Sequence, residues 1–366
     1  MADRFLYLPQ IGLCIALAWG AAHLAGSWPY RRWPLAPVAA LLVAGLMACA
    51  WQQTSHWRNS ETLWVRTLAC TARNPNAHYN LGVALAGRGQ IDKAIAHFRK
   101  VLEINPNDVD ARNNLGLALA GRGRTDEAIA HYRKVLEIKP DYELAHYNLG
   151  VTLAGRGQID EAIAHYRKAL EINPDDAKVH NNLGAVLAGR GRIDEAIAHY
   201  RKALEIKPDY AGAHYNLGLV LAGRGRIDEA IAHYRKALEI KPDYAGAHYN
   251  LGLVLAKADR HREAIEQYQA ALAIDPKDQD THNSLGLSHE ALGQLDDAAR
   301  EFRSVLARIQ EAVDSHRRRA DDLQLHGDAS GAQEQRRAAL EKRKEAADAN
   351  KNLARILHRQ DKDHGE

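Results

Sequence analysis

The twelve residues AGAHYNLGLVLA occupy positions 211–222 and recur, letter for letter, at 245–256. The interval from 211 to 245 is a period that extends well beyond these two copies. Leu-Gly pairs stand at Leu81-Gly82, Leu115-Gly116, Leu149-Gly150, Leu183-Gly184, Leu217-Gly218, Leu251-Gly252 and Leu285-Gly286, always at that same interval. Each glycine is followed at a fixed distance by an alanine: Ala94, Ala128, Ala162, Ala196, Ala230, Ala264 and Ala298. One helical turn further on comes an aromatic: Phe98, Tyr132, Tyr166, Tyr200, Tyr234, Tyr268 and Phe302. Six of the seven copies then close on proline, from Pro106 to Pro276, and the seventh has Gln310.

Each position has a packing reason. The run AHYNLGLVLA spaces leucine and alanine at the helical period, which predicts a first helix with one apolar face. The glycine and the later alanine are small where two helices approach closely, and the aromatic fills the space beyond them. Between the helices five copies read AGRG, the first at 86–89. Glycine there supplies the left-handed conformation that stops a helix. Acidic residues then open the second helix, where they suit the positive end of its dipole, and proline ends it. A single pair cannot bury its apolar face, so the copies must stack.

The sequence therefore predicts an all-α solenoid of seven helix pairs at 75–108, 109–142, 143–176, 177–210, 211–244, 245–278 and 279–312. In the sixth copy KADR replaces the glycine loop, and Asp259 falls where glycine stands elsewhere. The seventh copy lacks its proline, so its second helix is expected to run on into a charged helical cap, 313–366, with a break at HGDASG. Residues 53–74 read as a connecting helix, with Trp64 one period before Phe98.

The spacing and residue set resemble the tetratricopeptide repeat (TPR) family over residues 75–312. The resemblance implies a right-handed superhelix of helix-turn-helix repeats. Its first helices would line a concave groove that holds partner proteins or extended peptides.

One residue before each Leu-Gly lies an asparagine: Asn80, Asn114, Asn148, Asn182, Asn216 and Asn250, with Ser284 in the seventh copy. An amide offers both donors and an acceptor, so a row of them suits the backbone of an extended peptide whatever its sequence. The row is similar to the asparagine ladder in the repeats of O-linked N-acetylglucosamine transferase. Val83, Leu117, Val151 and Leu219 supply an apolar floor beside it. The alternative is that each asparagine bonds only to an adjacent repeat. Histidine recurs as well, at 78, 146, 180, 214 and 248 on first helices and at 97, 131, 165, 199 and 233 on second ones. A metal needs several imidazoles converging, so one per helix reads as duplicated surface sequence and no metal site is assigned. The Arg-Lys pairs from Arg99-Lys100 to Arg235-Lys236 have acids nearby and read as a solvated outer face.

The chain has 366 residues with 49 basic and 46 acidic side chains, a net charge of +3 that argues against a nucleic-acid partner. Its three cysteines, Cys14, Cys49 and Cys70, are too scattered for a disulfide framework. From Phe5 to Ser60 the only charges are Arg31, Arg32 and Arg58. The uncharged run 5–26 would span about 33 Å as a helix, enough for a hydrocarbon core of about 30 Å. A second run, 33–51, carries Pro34 and Pro37 in its first turn, where proline is tolerated. Tyr7, Trp28, Tyr30, Trp33 and Trp51 flank the two runs as interfacial rings do. Two transmembrane helices are expected, and the alternative is a cleaved signal peptide ending near residue 26. Arg31 and Arg32 favour a cytoplasmic loop, which leaves both ends and the repeats outside, in the periplasm of a bacterial inner membrane. Arg4 narrows that contrast and keeps the cytoplasmic side open.

The first eighty residues also resemble the last membrane segments and repeat junction of multi-span, glycosyltransferase-like (TMTC-type) membrane proteins. In that family the chemistry lies in membrane segments further upstream, with acids on an external loop. Between Arg4 and Ser60 there is no carboxylate to serve as base or metal ligand. The expectation is a membrane-anchored scaffold with no catalytic residues, no cofactor and no small-molecule substrate. The alternative is the targeting fragment of a multi-span protein glycosyltransferase.

Overall fold

The computed structural model describes residues 60–363 and, before them, Gly45 alone. The two apolar runs expected to span a membrane lie, apart from that glycine, outside the described residues. Among the described residues there are sixteen α-helices and no strand, and none of the helices is long and apolar enough to cross a membrane.

The helices fall into two compact units, divided after Pro140. The first unit holds α1 (Ser60–Cys70) and two pairs: α2 (Pro75–Gly87) with α3 (Ile91–Ile104), and α4 (Val109–Gly121) with α5 (Thr125–Ile138). The second unit holds four pairs of the same form. They are α6 (Glu143–Gly155) with α7 (Ile159–Ile172), α8 (Ala177–Gly189) with α9 (Ile193–Ile206), α10 (Ala211–Gly223) with α11 (Ile227–Ile240), and α12 (Ala245–Lys257) with α13 (His261–Ile274). Then come α14 (Gln279–Ala291) and two much longer helices, α15 (Leu295–Leu325) and α16 (Ala329–Asp363).

Within every pair the repeated residues do one job. The seven alanines are fully buried, and the seven leucines and seven aromatics are at most 3% exposed. A methyl group added to the paired glycine would collide with the aromatic ring: 2.7 Å from Phe98 at Gly82, and 2.7 Å from Tyr200 at Gly184. The ring therefore lies directly on the backbone of the first helix. This contact sets how closely the two helices pack.

First helices are opened by side chains where the sequence allows. Asn74, Asp108, Asp176 and Asp278 accept hydrogen bonds from backbone N–H groups in the first turn. Tyr142, Tyr210 and Tyr244 stand at the same position without a side-chain cap. Two of them pack instead: Tyr210 lies against the Ala177, Ala203 and Ala213 cluster, and the Tyr244 ring is 4.8 Å from that of Tyr215.

The end of each first helix turns on one left-handed residue. Gly191 has φ 77°, and the next amide, Arg192 N–H, reaches back to Leu187 O at 2.9 Å. In the sixth copy Asp259 makes the same turn at φ 57°, and among the described residues no other non-glycine has positive φ.

Consecutive first helices of the second unit, α6, α8, α10, α12 and α14, approach one another along the stack, and the second helices make no comparable approach. The first-helix side of that unit is therefore its inner, concave side.

Asp259 holds a backbone conformation that costs an L-residue about 1–2 kcal/mol. Its side chain is almost fully exposed, with only a long 3.9 Å contact to His261. Asp259→Gly is expected to raise stability by about 0.5–1 kcal/mol, whereas Gly225→Ala lowers it by about 1–2 kcal/mol. Urea unfolding followed by circular dichroism reads the two opposite shifts.

Candidate peptide-binding face

The asparagines lie on the first helices, half-buried, in one register. The residue before each is tyrosine (Tyr79, Tyr147, Tyr215, Tyr249) or asparagine (Asn113, Asn181), and the structure bonds the two rows together. Asn114 Nδ2 donates to the Tyr79 hydroxyl at 2.9 Å in the first unit. In the second unit Asn182 donates to Tyr147 at 3.2 Å, Asn216 to Asn181 Oδ1 at 3.0 Å, and Asn250 to Tyr215 at 3.2 Å. Each of these rungs thus reaches back to the preceding repeat. Asn80 donates to Asn76 O within its own helix, and Asn148 sits half-buried in the same register.

Each of these bonds uses one amide N–H, and Asn182 Oδ1 also accepts from Asn181 Nδ2 at 3.2 Å. An asparagine has two N–H donors and an acceptor oxygen. Asn216 keeps one N–H and Oδ1 beyond its bond to Asn181, whereas Asn250 uses its second N–H on Gly246 O at 2.8 Å and keeps Oδ1. Burial holds the Tyr79, Tyr147, Tyr215 and Tyr249 phenols above their ordinary range, so each remains a neutral hydroxyl at neutral pH. The amide row is anchored sideways by groups that carry no charge.

One turn further along α2, α4, α6 and α10 is an exposed aliphatic, with Val83, Leu117, Val151 and Leu219 between 37% and 54% exposed, and α8 has the smaller Ala185 there. Leu253 and Leu287 continue the row. Tyr147, Asn148, Val151, Ala154 and Gly155 illustrate the surface, since positions i, i+3 and i+4 share a helix face. It is neutral, apolar at its floor and edged with amides.

The outer charges behave differently. Lys100, Lys134, Lys168, Lys202 and Lys236 each meet the glutamate at the i+3 position. Arg122 pairs with Asp92, Arg190 with Asp160, and Arg224 with Asp194 at 3.0 Å. All are exposed and mutually neutralised, each adding at most about 1 kcal/mol.

The histidines are not loose surface groups. His78 and His97, His146 and His165, His180 and His199, and His214 and His233 meet Nδ1 to Nδ1 at 2.9–3.0 Å. His180 Nε2 also lies 3.0 Å from Pro174 O, and His214 Nε2 3.1 Å from Pro208 O. A carbonyl only accepts, so that nitrogen carries the proton, the Nδ1 of the same ring accepts, and the second-helix histidine donates. Each pair pins its two helices together, and these two pairs are also tied to the preceding loop. The sequence separation within a pair is constant from copy to copy, and that constancy is the signal for the contact. Periodicity counted one helix at a time does not register it.

Models of the tetratricopeptide repeat match residues 47–109, 79–143, 141–209 and 187–232, and a TPR repeat model matches 221–259 and 260–293. Together they take in well over half of the chain. Protein O-mannosyl-transferase Tmtc3 of Drosophila melanogaster is 29% identical over 111 residues, 30% of this chain and 12% of that protein. The chain thus matches about an eighth of the length of such relatives. PilF of Pseudomonas aeruginosa is 26% identical with a TM-score of 0.50, over 54% of this chain and 90% of PilF. The Cut9–Hcn1 structure, 17% identical with a TM-score of 0.53 over 76% of this chain and 51% of that one, shares the fold.

The imidazole pairs give a pH dependence with a definite sign. Burial, followed by the partner imidazole, holds His97, His199 and His233 below the ordinary histidine value. Glu195 and Glu229 partly oppose this, while Arg167 and Arg201 add to it. The unfolded chain therefore takes up protons first as pH falls. Stability is complete above the unfolded value of about 6.5 and is lost as pH drops through it. Melting temperature is expected to fall between about pH 7.5 and pH 5.5. Changing His97, His199 and His233 to glutamine, the residue at position 267 that already faces His248, should shrink that fall.

Proposed function

Because the chain belongs to the tetratricopeptide repeat family, we propose that it is a scaffold that performs no reaction and holds a partner protein by an extended segment laid along its first helices. The row Asn80, Asn114, Asn148, Asn182, Asn216 and Asn250 would supply hydrogen bonds to the main chain of that segment. The observation that carries this is the lateral bonding of the amides. A side chain fixed by its neighbour loses little freedom when a ligand arrives, so more of each hydrogen bond appears as affinity. The neutral, aliphatic floor supports a ligand with small or apolar side chains.

The two uncharged runs at 5–26 and 33–51 support a membrane anchor, with the repeats on the outer, periplasmic side. The likeness to the protein O-mannosyl-transferases supports a second reading, in which the chain is the substrate-holding part of such a transferase. The two differ in a direct assay: mannosyl transfer to the bound peptide by native membranes, lost when this chain is deleted and restored when it is returned, belongs only to the second.

Binding is tested with the full chain in detergent and a fluorescein-labelled, unstructured peptide of alternating serine, threonine and valine. Joint substitution of Asn148, Asn182 and Asn216 by alanine should weaken binding about tenfold or more. Unaltered affinity removes the amide row from the account. Protease added to spheroplasts, with the outer membrane opened, should digest the repeats while sparing the apolar runs, and full protection would place the repeats on the inner side.

A further inference from the structure

The repeat register does not stop at the seventh copy. One period beyond Gly293, Gly327 makes the same left-handed turn at φ 82°. One period beyond His282 and Glu301, His316 Nδ1 meets Gln335 Oε1 at 2.9 Å, with the same sequence separation. Ala320, Ala332 and Ala339 fall one period after Gly286, Ala298 and Val305, and all three are buried. Residues 313–346 are thus an eighth copy by register. Its packing residues have been lost, however. Arg319 replaces the leucine, Arg336 the aromatic, and Gln310 and Lys344 stand where proline would end the helices.

Two periods beyond Leu285 the pattern returns as Asn352-Leu353-Ala354. Leu353 and Ile356 pack against Ala298, Ala299 and Phe302 of α15. Asn352 Nδ2 donates to Asn283 Oδ1 at 3.3 Å, as Asn216 does to Asn181. Arg355 and Arg359 hold Glu290, and Gln360 donates to Asp296. The end of α16 therefore occupies the place that a first helix of the eighth copy would take.

The physical choice is plain. Residues 313–325 in that place would bury Arg319 where Leu251 and Leu285 are at most 3% exposed, and an unpaired buried guanidinium is costly. Residues 347–357 offer Ala349, Leu353 and Ile356 instead. Without proline the helices run straight through both turns. The eighth copy is carried out of the stack as a two-helix arm about 25 Å long. Val313 and Ala339 of this arm belong to one buried cluster, against which Ala346 packs, and Ala349 continues that cluster beyond the arm.

We propose that residues 313–346 are a repeat extruded from the array, and that Asn352 thereby supplies a further rung of the amide row, binding the main chain of an extended peptide. This rests on the peptide-binding reading above. Asn352 is half-buried like the other rungs, and its bond to Asn283 leaves one N–H and Oδ1. The floor changes there from leucine to Arg355, already engaged by Glu290.

Two experiments on the full chain test the proposal. Excision of residues 313–346, with Gln310→Pro and Glu311→Asp to restore the turn found at Pro242-Asp243, removes one period. It should leave helix content per residue, cooperative melting and peptide affinity within twofold of the parent. Excision of 313–342 with the same two changes, one helical turn short of a period, should lose cooperative melting of the C-terminal region. Equal behaviour of the two excisions, or unfolding of the one-period variant, overturns the extruded repeat. Asn352→Ala should weaken binding of the serine-threonine-valine peptide about three- to tenfold, comparable to Asn216→Ala, with melting unchanged. If Asn216→Ala weakens binding and Asn352→Ala does not, the rung is overturned while the groove stands. If neither weakens binding, the groove reading itself fails.

Discussion

Everything in this fold hangs on an aromatic ring packed directly against a helix backbone with no β-carbon between them. At Gly116, Gly184 and Gly218 a methyl group would come within 2.7 Å of the ring, a separation that real β-carbons do not tolerate. The close approach that results brings the rest of each pair into range. It lets the two imidazoles meet at 2.9 Å across the helices. It also keeps the stack regular enough for Asn182 to find Tyr147 and Asn250 to find Tyr215 in the repeat before. Where glycine and aromatic are both missing, at Ala320 and Arg336, the copy leaves the array. The exception obeys the same constraint as the rule.

The concave side gains its chemistry from repetition. A single asparagine on a helix surface is mobile and well hydrated, and ordering it costs side-chain entropy. Here most of the amides are held by the neighbouring repeat, and the neutral phenols that hold them do not ionise in the physiological range. The charged residues are kept elsewhere and paired among themselves, which leaves the inner face with polarity but little charge. A peptide laid on such a surface would be held by what all peptides share more than by what distinguishes them. Selectivity would come from the aliphatic floor and from the few points where it is interrupted.

Much of this is legible in the sequence. The Leu-Gly, alanine and aromatic positions announce the helix pairs, and the KADR loop marks Asp259 as the residue forced into a glycine conformation. Contacts between residues on different helices are harder to see. Histidines at a fixed separation look like surface repeats until the helices are folded against each other, and an asparagine gives no sign that its partner stands in the repeat before. The eighth copy is hidden for a different reason. Leucine and aromatic side chains carry the visible period, and Arg319 and Arg336 occupy those places. Its surviving marks, Gly327, His316 and Ala332, belong to the turn and to positions that tie or space the helices. The seventh copy's missing proline at Gln310 points toward a continuous helix but not toward the return of the pattern at Asn352.

The central claim is that backbone-to-ring contact, rather than helix propensity, decides which helices join the stack. Two glycines on α8 separate these effects: Gly184 lies under Tyr200, whereas a methyl group at Gly189 would meet nothing within 4 Å. Urea unfolding of the single variants Gly184→Ala and Gly189→Ala, followed by circular dichroism, is the direct measurement. Alanine is the better helix former by about 1 kcal/mol, so propensity alone stabilises both. The account predicts opposite signs: a gain at 189 of up to about 1 kcal/mol and a loss at 184 of about 1–3 kcal/mol from overpacking. Stabilisation at both positions would contradict it.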